Sequence, residues 1–526
     1  MTLIGIEPRD YQLEIFNTCK DKSCLVVIPT GIGKTLIGLM LAVHRLKEHP
    51  DMKVVFLAPT KPLVEQHLRY FRDHLPELFA TLEIFTGATP APQRKKLWQR
   101  ADIVFSTPQC IANDIRKSLY NLSDVCLLVE DEAHRCIKNY DYTFIARHFN
   151  NVSSSPHVLG LTASPGSDKK KIMDICKNLG VEALEVRTRD SSDVKPFLQE
   201  LKRELVFVDF PQEFLDISAL LNQIFLKKIQ ELKNRHLLFR HPSKVALLEL
   251  QKSLMVKITK GVRDFQILAG ASTTAQALKI SHALELLETQ TLAALSFYYQ
   301  SLFTQASSKK SKAVQNLIKI PEFNASYTLT QELLSQGKEH PKLFRLKGLV
   351  RADFESGIKR VIVFTQFRDS AVRICRELNS LPLVNASVFV GQAKKKVGSA
   401  DESGLSQKEQ KLLINNFVDG KLNVLVSTSI GEEGLDIPEV GAVYFYEPIP
   451  SAIRKIQRGG RTARLMPGKI VTLITKGTRD EAYHWSAFQK EKKMSSALDS
   501  VKDDFDNPKK KFGVKDKNLN SFSNKR

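Results

Sequence analysis

At 526 residues the chain is too long for one hydrophobic core, which excludes a single small module and leads to an expectation of two to four domains. Its 78 Lys and Arg against 57 Asp and Glu leave a formal charge of +21, which favours phosphate-rich partners, nucleic acid first, over acidic proteins. No run of about 18 apolar residues and no basic-then-apolar leader occurs, and the seven cysteines lack CxxC spacing, so the expectation is a soluble, cytoplasmic protein with reduced core thiols and no membrane partner.

From residue 1 to 203, short apolar runs at Leu25–Ile28, Val54–Leu57, Ile103–Phe105, Val125–Val129 and Val158–Leu161 alternate with helical patterns. That rhythm predicts buried parallel strands joined by crossover helices, a doubly wound α/β domain. Residues 204–340 show apolar positions at helical spacing and predict a helical insertion domain that binds nucleic acid. The α/β rhythm returns over 341–495, with strands expected at Val361–Phe364, Val424–Ser427, Ala442–Phe445 and Ile470–Ile474. Residues 496–526 are polar and lysine-rich and read as a basic flexible tail or linker.

Chemistry concentrates at strand ends. Between the first strand and a helix starting near Lys34 lies Pro29-Thr30-Gly31-Ile32-Gly33-Lys34-Thr35. Its glycines let backbone N–H groups approach phosphate, Lys34 reaches the β and γ phosphates, and the Thr35 hydroxyl suits Mg²⁺. Ile28 stands at the usual first glycine, so the Gly-Lys-Thr half carries the match. The strand ending Leu127-Leu128-Val129-Glu130 runs into Asp131-Glu132-Ala133-His134, the edge where a doubly wound sheet holds its ligand. Asp131 would hold Mg²⁺ and Glu132 would polarise an attacking water.

With these motifs the chain resembles the superfamily 2 helicases that carry a DEAH motif II. Ala58-Pro59-Thr60-Lys61-Pro62 looks like motif Ia, Ser106-Thr107-Pro108-Gln109 like Ib, and Thr162-Ala163-Ser164 like III. In the second half Val363-Phe364-Thr365-Gln366 is similar to motif IV, 427–436 to V, and 457–464 to VI, where Ala463 replaces the commoner glycine. Arg9-Asp10-Tyr11-Gln12, the helical insertion and Phe389-Val390-Gly391-Gln392 narrow the likeness to the archaeal Hef and Fanconi anaemia group M type translocases, from Pro8 to about Lys493. Some archaeal members carry an XPF-like nuclease; no ERKxxxD signature occurs in this sequence, so a nuclease domain or partner is one the chain does not display.

The resemblance implies two RecA-like domains, ATP and Mg²⁺ as cofactors, and a set of site residues. Arg9 and Gln12 would lie near adenine and Asp436 near the ribose. Thr60, Lys61, Thr107, Thr365 and Thr428 would touch a nucleic-acid backbone. Gln457, Arg461 and Arg464 would reach across the cleft to the γ-phosphate, and Thr162 and Ser164 would couple the two sites. The implied activity is an ATP-dependent helicase or translocase on forked or branched DNA in replication-fork repair and recombination, at the nucleoid or in a nucleus. Two alternatives stand beside it: a duplex-RNA-dependent translocase, and a nonhydrolysing clamp that uses ATP as structural glue. In the insert, Lys227, Lys228, Lys233, Arg235, Arg240, Lys244, Lys252, Lys257, Lys260 and Arg263 face only Glu231 and Glu249 over the same stretch, which reads as a clamp for duplex or branched DNA.

Overall fold

A computed structural model describes residues 3–262, 264–309, 311–391, 404–428, 437–463 and 466–507. Among them, strands β1 Cys24–Val27, β2 Lys53–Leu57, β3 Leu82–Phe85, β4 Ile103–Ser106, β5 Val125–Asp131, β6 Val158–Thr162 and β7 Ala183–Val186 form one sheet. Its order is β3-β4-β2-β5-β6-β1-β7, and every neighbouring pair is parallel. A second parallel sheet, ordered β10-β11-β9-β12-β13-β8, holds β8 Leu201–Val208, β9 Val361–Phe364, β10 Ala386–Phe389, β11 Val424–Ser427, β12 Ala442–Phe445 and β13 Gly468–Thr475.

Each sheet has a core on both faces, and the period-2 pleat divides the side chains between them. Leu25 and Val27 of β1 enter one core while Cys24 and Val26 enter the other, and β9 splits Val361 and Val363 from Ile362 and Phe364 in the same way. Two covered faces demand continuous apolar sequence, which is why the central strands are legible as runs. The outer strands β3 (Leu-Glu-Ile-Phe) and β7 (Ala-Leu-Glu-Val) are half-buried and mixed in composition, and no apolar run announces them.

The insert is a bundle of helices Gln212–Asn234, Lys244–Thr259, Phe265–Thr289, Leu292–Ser307, Lys312–Leu317 and Pro321–Ser335. Phe214, Ile217, Leu221 and Ile224 line one stripe of the first helix and meet Ile280, Leu284 and Leu287 of the third.

Two expected boundaries move. The limit at residue 203 cuts through β8, whose eight residues pair with β13 in the second sheet. The chain leaves the first sheet, adds an edge strand to the second, and only then enters the insert. The expected tail from residue 496 is helical to Asp506, because Ala497, Leu498 and Val501 on the helix Arg479–Asp506 are buried in the first domain's core. That helix begins on the second domain and ends on the first.

Candidate nucleotide cleft and nucleic-acid interface

Parallel strands place all their C-terminal ends at one edge, so the loops after β1, β2, β4, β5 and β6 gather there. The loop after β1 turns through Gly31 and Gly33 at φ of 84° and 83°, values open to glycine at little cost. At Gly33 a Cβ would also lie 2.2 Å from Gln12 Nε2. Gln12 ties this loop down: its Nε2 donates to Ile32 O (3.1 Å) and its Oε1 accepts from Arg9 N (2.9 Å), while the Tyr11 hydroxyl donates to the same Ile32 carbonyl (2.7 Å). Both ends of the Gln12 amide are thus engaged by backbone, so this side chain acts as a strut under the loop, and Arg9 rests on the Phe197 ring at 4.8 Å.

Lys34 opens the helix Lys34–Glu48, and its ammonium donates to Ile28 O at 3.3 Å. Asp131 and Thr35 meet through a residue that the motif reading missed. His67, buried on the helix Lys61–His74, donates from Nε2 to Asp131 Oδ2 (2.9 Å), and its Nδ1 lies 3.4 Å from the Thr35 hydroxyl. Burial alone would raise the Asp131 carboxyl, but the His67 hydrogen bond and the charges of His67 and Lys34 outweigh it and hold the group below its ordinary value. Thr35 and Asp131 are a hard-oxygen pair of the kind that could hold Mg²⁺ alongside phosphate and water.

Alternation along β5 sorts the three acids. Glu130 points into the core, where burial pushes its carboxyl well above the ordinary range, whereas Asp131 ends the strand at the cleft. Glu132 follows in a left-handed conformation, φ 54°, which turns it out of the strand direction. His134 Nδ1 lies 3.2 Å from both Glu132 Oε2 and Thr162 Oγ1. Thr162 Oγ1 accepts from Ser164 N (3.2 Å), and the Ser164 hydroxyl donates to Met494 Sδ (2.9 Å) on the bridging helix. The acidic loop, Thr162, Ser164 and that helix are therefore one connected chain of contacts.

Across the cleft the helix Ala452–Gly459 abuts the phosphate loop so closely that a Cβ on Gly460 would stand 1.8 Å from Thr30 Oγ1. Gln457 and Arg461 flank this contact and are buried. Between them Arg458, also buried, sits 5.0 Å over the Phe364 ring. Asp436 and Arg464 lie outside the described residues, as do Ser429–Leu435 of the fifth motif, Gln392 and Arg263.

The candidates for a nucleic-acid backbone divide. Thr60 and Thr107 precede helices at the ends of the neighbouring strands β2 and β4, half-buried, with Lys61 beside Thr60. Thr365 is different from expectation: it is fully buried, and its hydroxyl donates to Gln290 Oε1 (3.1 Å) at the base of the insert, because the root of the insert packs over the end of β9. Thr428 is buried as well, with its amide donating to Phe389 O at 3.3 Å. In the insert Lys228 is held by Glu231 (2.8 Å), Arg235 donates to Gln266 (2.5 Å), and Lys244 finds Glu285 (2.6 Å), an acid from a later helix that the local count omitted. Lys227, Lys233, Lys252, Lys257 and Lys260 are exposed.

Known proteins resemble this chain in each of its three segments. Residues 9–172 match the DEAD/DEAH box helicase model, 342–466 the helicase conserved C-terminal domain, and 213–335 a helical-bundle model named for ATP-dependent RNA helicases. The crystal structure of the Pyrococcus furiosus Hef helicase domain is 41% identical and superposes with a TM-score of 0.70, covering 93% of this chain and 100% of that one. A Methanocaldococcus jannaschii protein named as an ATP-dependent RNA helicase is 38% identical over 499 residues, 94% of this chain and 61% of its own length. The mouse Fanconi anemia group M protein homolog is 30% identical over 523 residues, 92% of this chain and 25% of its own. The chain thus spans less than two thirds of each of these two relatives.

Proposed function

Because the chain belongs to the superfamily 2 helicases of the Hef and Fanconi anaemia group M type, we propose that it is a DNA-dependent ATPase that translocates on forked or branched DNA during replication-fork repair. The observation that carries this reading is the apposition of Thr30 and Gly460, which sets the phosphate loop of one sheet against the arginine-bearing segment of the other. Lys34 and the loop amides bind phosphate on one side; Gln457, Arg461 and Arg464 serve it from the other. Thr35 and Asp131 are the residues that would hold Mg²⁺, which supplies charge neutralisation at the phosphates. Glu132 orients the attacking water. Arginine forks from the second half neutralise charge that develops in the transition state, so a bound nucleotide favours the closed cleft and its hydrolysis releases it.

Thr60, Lys61 and Thr107 supply the strand contact on the first domain, and the exposed lysines of the insert grip a duplex arm. Thr162 and Ser164 couple the two sites through His134. Such a motor works where chromosomal DNA lies, at a nucleoid or in a nucleus, with any nuclease supplied by a further domain or partner. Among the described residues no helix is long and apolar enough to cross a membrane. The helical-bundle match carries an RNA helicase name and supports duplex RNA as a second substrate class. Steady-state ATP turnover with forked DNA, single-stranded DNA and duplex RNA of equal length separates them. Forked DNA should stimulate most, and equal or greater stimulation by duplex RNA would replace the DNA reading.

A further inference from the structure

The insert has an apolar surface that its own core does not use. On the helix Lys244–Thr259 the residues Leu247 and Leu254 are buried in the bundle, yet Val245, Leu248, Met255 and Val256 form a second stripe that points outward. In the segments that precede and follow this helix are the two most exposed phenylalanines of the described residues, Phe239 at 83% and Phe265 at 74%. Phe265 begins the helix Phe265–Thr289, whose other end is rooted at the second domain through Gln290 and Thr365, so at about 1.5 Å per residue it lies roughly 36 Å out from that root. Arg235 meets Gln266 at that outer end, and the segment after it carries Phe239 back along the same helix, where the neighbouring Leu238 packs with Leu247 and Ala277.

Exposed apolar area of this extent on one segment marks an interaction surface. The surrounding charge limits the partner. Lys252, Lys257 and Lys260 are exposed among these residues, against the acids Glu249 and Asp264, the latter exposed beside Phe265, so the patch keeps an excess of positive charge that a second copy of the chain would meet. The partner must be polyanionic and yet offer flat apolar faces. Unpaired DNA bases at a branch point have both properties, since phosphates meet the lysines and each base presents a π-face to a phenyl ring.

We propose that Phe239 and Phe265 are stacking platforms for unpaired nucleobases at the branch of a DNA fork, with the lysines between them holding the adjoining phosphates. The proposal rests on the branched-DNA reading and makes it specific: the insert recognises the opened base pairs, and duplex shape alone is not what it reads.

The test uses the full chain with Phe239→Ser/Phe265→Ser, Phe239→Trp/Phe265→Trp, and Phe344→Ser as an exposed-phenylalanine control on the second domain. Affinities are measured for a fork with unpaired branch bases, one of them 2-aminopurine, for the same fork paired to the branch, and for a blunt duplex. Stacking predicts that the serine pair loses about tenfold or more on the open fork, loses the 2-aminopurine fluorescence change, and stays within twofold on the duplex. The tryptophan pair should keep both signals, and Phe344→Ser should match the parent. Equal losses on open fork and duplex, or no loss anywhere, overturn the proposal; the second result assigns these phenylalanines to a protein partner. If the parent chain prefers no fork over single strands, the branched-DNA reading fails, and a 2-aminopurine-labelled single strand still decides whether the two rings stack on bases.

Discussion

Glu132 and Gly460 show how single residues set the chemistry. The left-handed φ of Glu132 carries its carboxylate out of the apolar strand and next to His134, and the proposed mechanism has it align a water there. Glu132→Gln keeps the size and removes the base, so ATP binding should persist while DNA-stimulated turnover falls by about 10²- to 10⁴-fold. Equilibrium binding of a fluorescent nucleotide, measured beside turnover, checks it; rapid turnover in the variant would remove Glu132 from the mechanism. Gly460 has no room for a side chain, since an added Cβ would lie 2.8 Å even from the Thr30 Cβ. Gly460→Ala should hold the two halves apart and lower the maximal rate by roughly 10²-fold through misplacement alone, with a smaller change in nucleotide affinity. A full rate in that variant would mean that catalysis does not need this close approach. His67 belongs at the same scale. It joins Thr35 to Asp131, but a lone histidine six residues into a helix carries no local signal of that role.

Among the elements, the insert separates into groups already satisfied and groups left open. Lys228 and Lys244 have carboxylate partners within 2.8 Å, whereas Lys227, Lys233, Lys252, Lys257 and Lys260 are exposed. Replacing those five by glutamine should flatten the slope of log affinity against log salt for forks by about 0.9 for each phosphate no longer neutralised, and leave single-strand-driven turnover intact. Lys228→Gln should change the slope much less. An unaltered slope in the five-fold variant would identify these lysines as solvated surface. The edge strand β8 follows the same logic: its alternating exposure pattern looks like the start of the insert when read along the chain, and only pairing with β13 makes it part of the second sheet.

For the whole molecule the decisive feature is a buried polar junction where insert, second domain and bridging helix meet. Lys342 donates to Thr289 O (2.7 Å) and Asp480 (2.8 Å), with both side chains of the ion pair fully buried, and Glu447 accepts from Gln366 N (2.5 Å) nearby. Burial pushes the Glu447 carboxyl up to about 7, against the lowering charges of Lys342 and Arg458. An unfolded glutamate titrates near about 4.3, so between the two values the folded state holds a proton that the unfolded state has released, and stability falls as pH rises. Glu447→Gln keeps the acceptor oxygen and should remove that loss, adding on the order of 3 kcal/mol at pH 8 and little at pH 4. Urea unfolding at both pH values measures it; equal gains at both would show that Glu447 does not titrate in this range. The ordered motifs, the central strands and the helical character of the insert were determined by the sequence alone, because phosphate loops, strand ends and buried apolar runs are local patterns with local physical causes. Tertiary structure alone decided the bond between Thr365 and Gln290, the bridge through His67, the partner of Lys244, the sheet to which β8 belongs and the docking of the last helix on the first domain. Each of these depends on a partner distant in the chain, and no spacing along the sequence encodes where such a partner will lie.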